Sequence, residues 1–430
     1  MVEIRAPQSN AHGRLHELAE ILHVNANEIE SYLEEKNLPY PSFDIGASES
    51  LPPELEDKQH ELLEAADELV ALVQGPKQHL STFAQEHNKT TSLHVIIRFK
   101  IASAVPLLST TTFTELARST GLMEHDLTQI LRHAMTYRIF SEPSPGVVAH
   151  TAASRLLVTS PNLVNFIGIA LDELLPSATR LVDAMQKWPN SQEPNEAGFN
   201  LAKGTSEPMF VVMNRDSDRA TEFAGSMNIF LESPPFSPQH LIRGYEWSHV
   251  KKVVDIGGSS GSIATALAME FEDIQFVVQD HPHAIQAAKV PHNVANRVKM
   301  MAHDMFCEQP ILDADIYLLR FVLHDWSDAY AAKVLNRLVP ALESNQNGGK
   351  RILINDACLP DWGTMSLYDQ RFLRATSITM REIQNGRERD REDWNRVLQL
   401  ADPRLVLKEV RTPEGSALSL LVVELENRTL

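Results

Sequence analysis

The sequence contains little cysteine, no long apolar run and an excess of negative charge. Its 430 residues include two cysteines, Cys307 and Cys358, which are too few for a disulfide framework and favour a reducing compartment. No apolar stretch approaches the roughly 20 residues that a membrane-spanning helix needs. The net charge of −18 argues against nucleic acid or an anionic membrane as a partner. These absences leave the expectation of a cytoplasmic protein that binds a small molecule.

The chain is long enough for two or three domains, and its residue patterns change twice. Residues 1–160 are predicted to be mostly helical, and residues 161–248 to form a helical connector. Residues 249–430 alternate between strands and helices. We therefore expect three regions with boundaries near residues 160 and 248.

Two patterns stand out in the first region. Apolar residues at helical spacing run from Leu15 to Leu33, and Asn25 or Asn27 is a candidate cap between two helices. Residues 113–151 predict a helix, a turn, a second helix and a β-hairpin, which is typical of a winged helix.

The third region predicts a doubly wound α/β sheet. Strands are predicted at 253–256, 275–279, 298–302, 314–320 and 350–355, with helices at Ile263–Glu270, His283–Ala288, Ala329–Leu342 and Ser366–Arg381. This alternation favours parallel strands. The last two strands, at 405–410 and 418–425, are joined by a short turn. The final strand should therefore lie antiparallel at or near the edge of the sheet.

A glycine-rich turn follows the first strand of this region. The segment Asp255-Ile-Gly-Gly-Ser-Ser-Gly261 runs from a strand into a helix, and its glycines let the backbone approach a ligand without a Cβ in the way. Amides at the start of the helix can meet an anionic group. The spacing differs from G-x-G-x-x-G, and the Lys-Ser/Thr of a P-loop is missing. Alone, the turn is almost as consistent with a loop that binds nothing.

Suitable groups at the next two strand ends favour a nucleotide-like ligand. Asp280 can accept hydrogen bonds from ribose hydroxyls, or it can cap the helix that follows, and the two roles are about equally favoured. Asp304 suits an adenine amino group, with Met305 and Phe306 packed on the ring. A turn carboxylate is the commoner fate of a lone aspartate. Suitable groups at three consecutive strand ends are less readily explained by chance than such a group at one strand end alone.

His324 is the candidate catalytic residue, because it follows an apolar strand at the end where open parallel sheets bind ligands. An imidazole can accept a proton from a phenol or another weakly acidic hydroxyl. A lone histidine is more often a packing residue, so an orienting carboxylate is required. Asp356 and Glu388 are the candidates. A strand-end turn is equally favoured for Asp356, and a surface salt bridge is favoured for Glu388.

Two other chemistries lack support in the sequence. The segment His281-Pro-His283 is too short for a metal site and has no acidic or sulfur partner at ligand spacing, so we expect no metal. No G-x-S-x-G elbow is found, which argues against hydrolysis by acyl transfer.

Several segments together match a known family. They are Val253-Val-Asp-Ile-Gly-Gly-Ser-Ser-Gly-Ser, Phe276-Val-Val-Gln-Asp, His303-Asp-Met-Phe, Leu319-Arg-Phe-Val-Leu-His-Asp-Trp-Ser-Asp and Asn385-Gly-Arg-Glu-Arg. The chain resembles S-adenosylmethionine-dependent O-methyltransferases of the caffeic acid O-methyltransferase type, and most closely fungal members that serve secondary metabolism. The segment ending His150-Thr-Ala-Ala-Ser is also typical. The resemblance implies a Rossmann-like methyltransferase sheet with an antiparallel C-terminal hairpin, preceded by a helical winged-helix dimerisation domain.

The resemblance also implies residues that bind the cofactor, S-adenosylmethionine. Gly257 would lie under its methionine part, Asp280 would bind the ribose, Asp304 with Met305 and Phe306 would bind the adenine, and Arg320 would stand near the cofactor, where plant members have lysine.

The same resemblance implies catalytic and substrate-binding residues. His324 would be the general base, with Glu388 and Asp356 as its carboxylates, and Asp356 is a methylene shorter than the glutamate of the plant enzymes. Met227 would pack on an aromatic acceptor, although a place in a helix core is comparably favoured. His150 is assigned to the substrate site, and residues 161–248 would line the pocket.

We therefore expect a homodimeric O-methyltransferase that acts on a hydroxyl of a phenolic or enolic secondary metabolite. The dimer follows from the family's N-terminal helices. Some fungal relatives bind the same cofactor but catalyse dehydrations and pericyclic ring closures, and they carry Arg or Lys at the position of His324, so the histidine favours methylation. A nicotinamide dehydrogenase is disfavoured by the glycine spacing and the terminal hairpin, and a DNA-binding regulator by the acidic charge.

Overall fold

The computed structural model describes residues 13–344 and 349–426, which fall into two compact units. Of these residues, 13–164 and 365–371 belong to the first unit, and 165–344, 349–364 and 372–426 belong to the second. Among the described residues, no helix has the length and apolar character needed to cross a membrane.

In the part that the structure describes, the first unit is helical apart from one small sheet. Its helices are Arg14–Glu35, Glu56–Gln85, His87–Arg98, Ile101–Ala104, Phe113–Thr120, Glu124–Met135 and Ala152–Thr159, with a 3-10 turn at Pro53–Leu55. Strands Thr111–Thr112, Ser141–Ser144 and Val147–Ala149 form an antiparallel sheet. Thr112 forms a capping box with Glu115 where the helix Phe113–Thr120 begins. The helix, turn, helix and hairpin predicted for residues 113–151 are present.

One prediction for this unit is wrong. Arg14–Glu35 is a single helix, so neither Asn25 nor Asn27 caps a boundary within it. Asn25 is buried, and its Nδ2 donates to the carbonyl of Ile21 one turn earlier, at 3.1 Å. Because this amide finds its acceptor within the helix, it gives the chain no reason to end the helix there.

The second unit contains a large sheet and several helices, some of which pack on the sheet. The helices are Leu175–Ala178, Leu181–Lys187, Gly198–Lys203, Met209–Met213, Ser217–Glu232, Pro238–Gly244, Ser262–Glu270, Pro282–Ala287, Asp328–Glu343 and Arg391–Ala401. Pro161–Ile169 and Leu367–Gln384 each have residues in both units. A π-helical turn lies at Ala170–Leu174, and 3-10 turns lie at Pro234–Phe236 and Leu323–Asp325. Two short parallel strands, Cys358–Leu359 and Arg389–Asp390, form a separate ladder.

The seven strands of the large sheet are β1 (Lys252–Ile256), β2 (Gln275–Asp280), β3 (Val298–Ala302), β4 (Ile316–Arg320), β5 (Arg351–Asp356), β6 (Leu405–Arg411) and β7 (Ser419–Leu425). Their order across the sheet is β3-β2-β1-β4-β5-β7-β6. β7 runs antiparallel to both of its neighbours, and the remaining pairs are parallel. The predicted doubly wound sheet with a C-terminal hairpin is confirmed, and the last strand lies one place in from the edge.

The sheet is buried on both faces, as its nearly continuous apolar strands require. Alternate residues of β4 face opposite sides, so Tyr317 and Leu319 join one core cluster while Ile316 and Leu318 join the other. The first cluster includes residues of the helices Asp328–Glu343 and Arg391–Ala401, and the second includes residues of Ser262–Glu270. Because helices cover both faces of the sheet, the polar loops lie at the carboxyl ends of the strands.

Candidate active site

The candidate site lies at the carboxyl ends of the strands, where the order of the sheet reverses. β1 lies between β2 and β4, and open α/β sheets bind ligands in the crevice at such a switch point. The amide of Ser259 donates to Oδ2 of Asp280 at 2.8 Å. Gly257 packs on Val322, just after β4. These contacts bring together the loops that follow β1, β2 and β4.

The glycine turn after β1 has no room for side chains at two positions. A Cβ at Gly257 would lie 2.7 Å from Cγ2 of Val322, and the φ of Gly257 is 71°. A Cβ at Gly258 would lie 2.6 Å from Oδ2 of the buried Asp255. Only glycine therefore allows the backbone to turn this tightly over the strand ends.

Asp280 has the position that the sequence predicted, and it does not cap the helix that follows. That helix, Pro282–Ala287, begins after His281, whose amide donates to Oδ1 of Asp280 at 2.6 Å. Each carboxylate oxygen has more than one acceptor site, so Asp280 can still accept hydrogen bonds from a ligand.

Asp304 takes part in a turn at the end of β3. Its Oδ1 accepts a hydrogen bond from the amide of Phe306 at 2.9 Å, as in an Asx turn. The ring of Phe306 packs edge-on against Trp326, with centroids 4.7 Å apart. Met305 packs against the core cluster that includes Tyr317 and Leu319. Asp304 can form this turn and still bind a ligand, because the turn uses only one lone pair of its carboxylate.

His324 lies in a buried turn after β4, with 7% of its surface exposed. Its Nδ1 is 2.7 Å from Oε1 of Glu388, and a carboxylate can only accept, so Nδ1 carries a proton. Its Nε2 is 3.6 Å from Oδ1 of Asp325. The side chain of Glu388 is 1% exposed and that of Asp325 is 20% exposed. One ring nitrogen is thus held by a buried carboxylate, and the other faces a partly accessible one.

Asp356 is fully buried at the end of β5. Its Oδ2 accepts a hydrogen bond from the amide of Leu323 at 3.2 Å, next to His324 in sequence. Among the described residues, Oδ1 of Asp356 and Oε2 of Glu388 are buried without a hydrogen-bond partner. Buried polar atoms of this kind usually have a partner, so two acceptors remain for a ligand or water.

The carboxylates around His324 determine its charge. Burial alone would lower the pKa of His324, but Asp325, Glu388 and Asp356 outweigh that effect and raise the pKa to about 10. Burial raises the pKa of Asp325 to about 7, against the attraction of His324. Burial also raises the pKa of Asp356. The surroundings of the imidazole are acidic and favour its cationic form.

Known proteins resemble this chain over nearly its whole length. The model of an O-methyltransferase domain matches residues 180–402, slightly more than half of the chain. The O-methyltransferase kk1A of Curvularia clavata is 35% identical over 422 residues, which are 97% of this chain and 98% of that protein. The chlorophenol O-methyltransferase of Trichoderma longibrachiatum is 33% identical over 425 residues, which are 96% of this chain and 90% of that protein. The chain belongs to the O-methyltransferase family.

Solved structures share the fold of this methyltransferase. The crystal structure of OxaC matches with a TM-score of 0.78 and 20% identity, over 96% of this chain and 99% of that chain. A protein described as a pericyclic reaction enzyme matches with a TM-score of 0.71 and 19% identity, over 95% of this chain and 100% of that chain. At these identities the similarity shows the fold alone. The predicted family, with S-adenosylmethionine as its cofactor, is confirmed, and the roles of single residues remain predictions.

The strand ends of the methyltransferase fit this cofactor. The turn at Gly257 gives a backbone cradle that a Cβ would fill, and Asp280 and Asp304 follow on the next two strand ends. Arg320, at the end of β4, is buried and donates from Nη2 to the carbonyl of Phe236 at 2.6 Å and from Nη1 to Asn355. Burial lowers the pKa of Arg320 to about 10, and the neighbouring carboxylates oppose the shift.

An aromatic cluster adjoins the base candidate in the methyltransferase. The ring of Phe321 lies 5.2 Å from that of His324, 5.7 Å from Phe230 and 5.6 Å from Phe236. Phe321 has a φ of 53°, which is rare for a bulky residue. Met227 precedes Phe230 by one turn of the same helix and is 40% exposed, so it does not lie in the helix core.

The ring nitrogens of His150 are both engaged within the first unit. Nε2 lies 3.1 Å from the carbonyl of Val105, which can only accept, and Nδ1 lies 2.9 Å from Oγ of Ser154. Burial lowers the pKa of His150. These contacts give His150 a structural role in that unit, and its assignment to the substrate site stays a prediction.

Sequence reasoning missed several residues that contact the base candidate or its loop. Asp325 faces Nε2 of His324, and Gly386 packs on the backbone of the same loop. Arg389 is fully buried and donates to that loop. The presence of Gly386 and Arg389 on either side of Glu388 in the matched segment Asn385-Gly-Arg-Glu-Arg was the available signal.

Substitution of Gly257 by alanine should weaken cofactor binding. The added Cβ would meet Val322 and would require a positive φ that alanine disfavours, so the turn must shift away from the strand ends. We expect the affinity for S-adenosylhomocysteine, measured by calorimetry, to fall by about tenfold or more, as a loss of roughly 1.4 kcal/mol implies. Gly121→Ala is the matched control, because Gly121 also has a positive φ, of 75°, but a Cβ there meets nothing within 4 Å. Unchanged affinity in Gly257→Ala would contradict the assignment of this turn.

Proposed function

We propose that this protein transfers a methyl group from S-adenosylmethionine to a hydroxyl oxygen of a phenolic or enolic secondary metabolite, with His324 as the general base. The observation that carries the proposal is the buried pair of His324 and Glu388, in a chain of the O-methyltransferase family. Glu388 holds the proton on Nδ1, so the neutral imidazole has its lone pair on Nε2. That nitrogen takes the proton of the acceptor hydroxyl as the oxygen becomes the nucleophile.

The two carboxylates play different parts in this mechanism. Glu388 orients the ring and stabilises the imidazolium that forms when the proton arrives. Asp356 acts on His324 through its charge and holds the amide of Leu323, so it stabilises the turn that carries the base. Its shorter side chain, compared with the glutamate of the plant enzymes, does not reach the imidazole through any hydrogen bond among the described residues.

The charge of the site suits the cofactor. S-adenosylmethionine supplies an activated methyl group on a positively charged sulfur. The acidic groups around His324 favour a cation beside them, and the burial of His324 and Glu388 strengthens such interactions. Gly257, Asp280 and Arg320, together with Asp304, Met305 and Phe306, would hold the cofactor.

The acceptor pocket is proposed to be aromatic. Phe230, Phe236 and Phe321 form a connected set of rings that reaches His324. Phenolic rings stack or pack edge-on with such side chains. Met227 is partly exposed on the helix that carries Phe230, where a flexible thioether can adapt to different acceptor rings.

A labelled transfer assay tests the reaction. Purified protein is mixed with trideuteromethyl-labelled S-adenosylmethionine and an extract of fungal secondary metabolites, and the products are analysed by mass spectrometry. We expect a product that carries the heavy methyl group, and its loss by at least about a hundredfold in His324→Ala, because general-base catalysis contributes roughly that much. S-adenosylhomocysteine should still bind His324→Ala.

Two outcomes would contradict the proposal. Full turnover in His324→Ala would exclude this residue as the base. Conversion of a metabolite without gain of the label, at unchanged or water-depleted mass, would indicate that the protein catalyses a pericyclic reaction or a dehydration and not methyl transfer.

The raised pKa of His324 predicts a pH dependence. A base must be neutral, and with a pKa of about 10 the imidazole of the free enzyme is mostly protonated at pH 7. The neutral fraction grows as the pH rises, so kcat/KM should increase from pH 7 and pass through an inflection near pH 10. The measurement uses two phenols of different acidity, since an inflection that belongs to His324 must not move with the acceptor. In Glu388→Gln the inflection should fall to lower pH. A flat profile between pH 7 and 10 would contradict the assignment.

We also propose a cytoplasmic homodimer. The helix Glu56–Gln85 breaks at Gly75 and exposes a row of large apolar side chains, which are Val70, Val73, Leu80 and Phe83. Their exposed fractions of 55% to 69% are unusual for side chains of this size clustered on one element. A second copy of the chain would cover them.

The dimer can be tested by analytical ultracentrifugation of the full chain. The wild type should sediment as a dimer, and the double variant Val73→Glu with Phe83→Glu should sediment as a monomer, because two buried carboxylates would be unpaired in the interface. Leu400→Glu changes an equally exposed leucine of the helix Arg391–Ala401 and should remain dimeric. A monomeric wild type, or a dimeric double variant, would contradict the proposal.

A further inference from the structure

Residues 384–389 form hydrogen bonds along the whole turn that carries His324. The carbonyls of Leu323 and Trp326 accept hydrogen bonds from Nη1 and Nη2 of Arg389, at 2.8 and 2.7 Å. The carbonyl of His324 accepts from the amide of Arg387 at 2.9 Å. The carbonyl of Asp325 accepts from Nε2 of Gln384 at 3.2 Å. Four consecutive carbonyls are thus held by residues 384–389, which also contain Glu388.

The two segments are packed as closely as backbones allow. A Cβ at Gly386 would lie 2.4 Å from the carbonyl oxygen of His324 and 2.6 Å from that of Asp325. No side chain fits between them, so Glu388 enters from a segment that touches the backbone of the residue it orients. A shift of either segment would change the contact between Nδ1 of His324 and Oε1 of Glu388.

Arg389 is the side chain that spans this interface. It is completely buried, and its Nε donates to Oδ1 of Asp328 at 2.9 Å while its guanidinium lies 5.2 Å from the centre of the Trp394 ring. A buried cation is costly unless it is paired and its donors are used, and here Asp328 and two carbonyls meet both conditions. A planar guanidinium can reach two carbonyls and a carboxylate together, which the single nitrogen of a lysine cannot do.

We propose that Arg389 is a positioning residue for His324: it bridges the carbonyls on either side of the His324–Asp325 pair and so fixes the imidazole against Glu388. This inference rests on the proposed role of His324 as the base. Without the guanidinium, the carbonyls of Leu323 and Trp326 each lose a donor, and the turn relaxes away from residues 384–389. The contact between His324 and Glu388 then lengthens, while the cofactor loops after β1, β2 and β3 are untouched.

The direction in which the pKa of His324 shifts in an Arg389 variant distinguishes a positioning role of Arg389 from a purely electrostatic one. The charged groups that face His324 are Asp325, Asp356 and Glu388, on different segments. Removal of the positive charge of Arg389 would by itself raise the pKa of His324. Loss of the contact with Glu388 lowers it, by roughly one to three units for a close opposite charge. The two explanations therefore predict shifts in opposite directions.

The experiment compares Arg389→Met, Arg389→Lys and a control, Arg387→Met, in the full chain. Arg387 also pairs with Asp328, but its side chain holds no carbonyl of the 323–326 turn. Each protein is prepared with isotopically labelled histidine, and the ring resonance of His324 is assigned by its absence in His324→Gln. Binding of S-adenosylhomocysteine, measured by calorimetry, identifies the variants that are folded.

We expect the titration midpoint of His324 to fall by at least about one pH unit in Arg389→Met and less in Arg389→Lys, and not to fall in Arg387→Met. Turnover, where an acceptor is methylated, should fall about tenfold or more in Arg389→Met with KM within about threefold, as expected for a misplaced base. If Arg389→Met does not bind S-adenosylhomocysteine, Arg389→Lys serves as the test, with the same direction. A midpoint that rises or stays in a folded Arg389 variant would overturn the proposal. The titration does not need turnover, so its outcome is independent of the proposed reaction.

Discussion

The contact between His324 and Glu388 is the interaction on which the organisation of this site depends. It joins two segments that lie 64 residues apart in the sequence, and both partners are buried. A charged pair in such a place is stable only when its remaining polar atoms are satisfied and its backbone is immobile. The close packing at Gly386 and the buried guanidinium of Arg389 meet the second requirement. One oxygen of Asp356 and one of Glu388 have no partner among the residues that the structure describes, so the first requirement is met only in part.

The sheet supplies the rigidity that this pair needs. Because both faces of the central strands are buried, the positions of the strand ends are fixed by two separate clusters of apolar side chains. The unusual backbone of Phe321 lies where β4 leaves the sheet, and the amide of Leu323, two residues later, donates to Asp356 at the end of β5. Strain of this kind persists only when the surrounding packing determines the conformation.

The sequence was most informative where local pattern and global fold agree. The alternation of apolar strands and amphipathic helices in residues 249–430 predicted the sheet, and the matched segments located the turn at Gly257 and the carboxylates after it. Asn25 misled because a polar residue in a helical pattern resembles a cap, although it bonds within its own helix. Arg389 was missed because arginines in a charged loop are usually solvated. Only the three-dimensional packing reveals that this one is enclosed.

The alternation of charge in Arg387-Glu388-Arg389 has a consequence for the accuracy of folding. In this segment Glu388 meets His324, while the arginines on either side of it both meet Asp328. Arg389 also pairs in register with Cys358, two residues after Asp356. A slip of one residue would place an arginine against the imidazole and the glutamate against Asp328, which creates a like-charge pair at both places. Electrostatic repulsion therefore disfavours the neighbouring registers. The order of these three residues favours the correct pairing of His324 with Glu388.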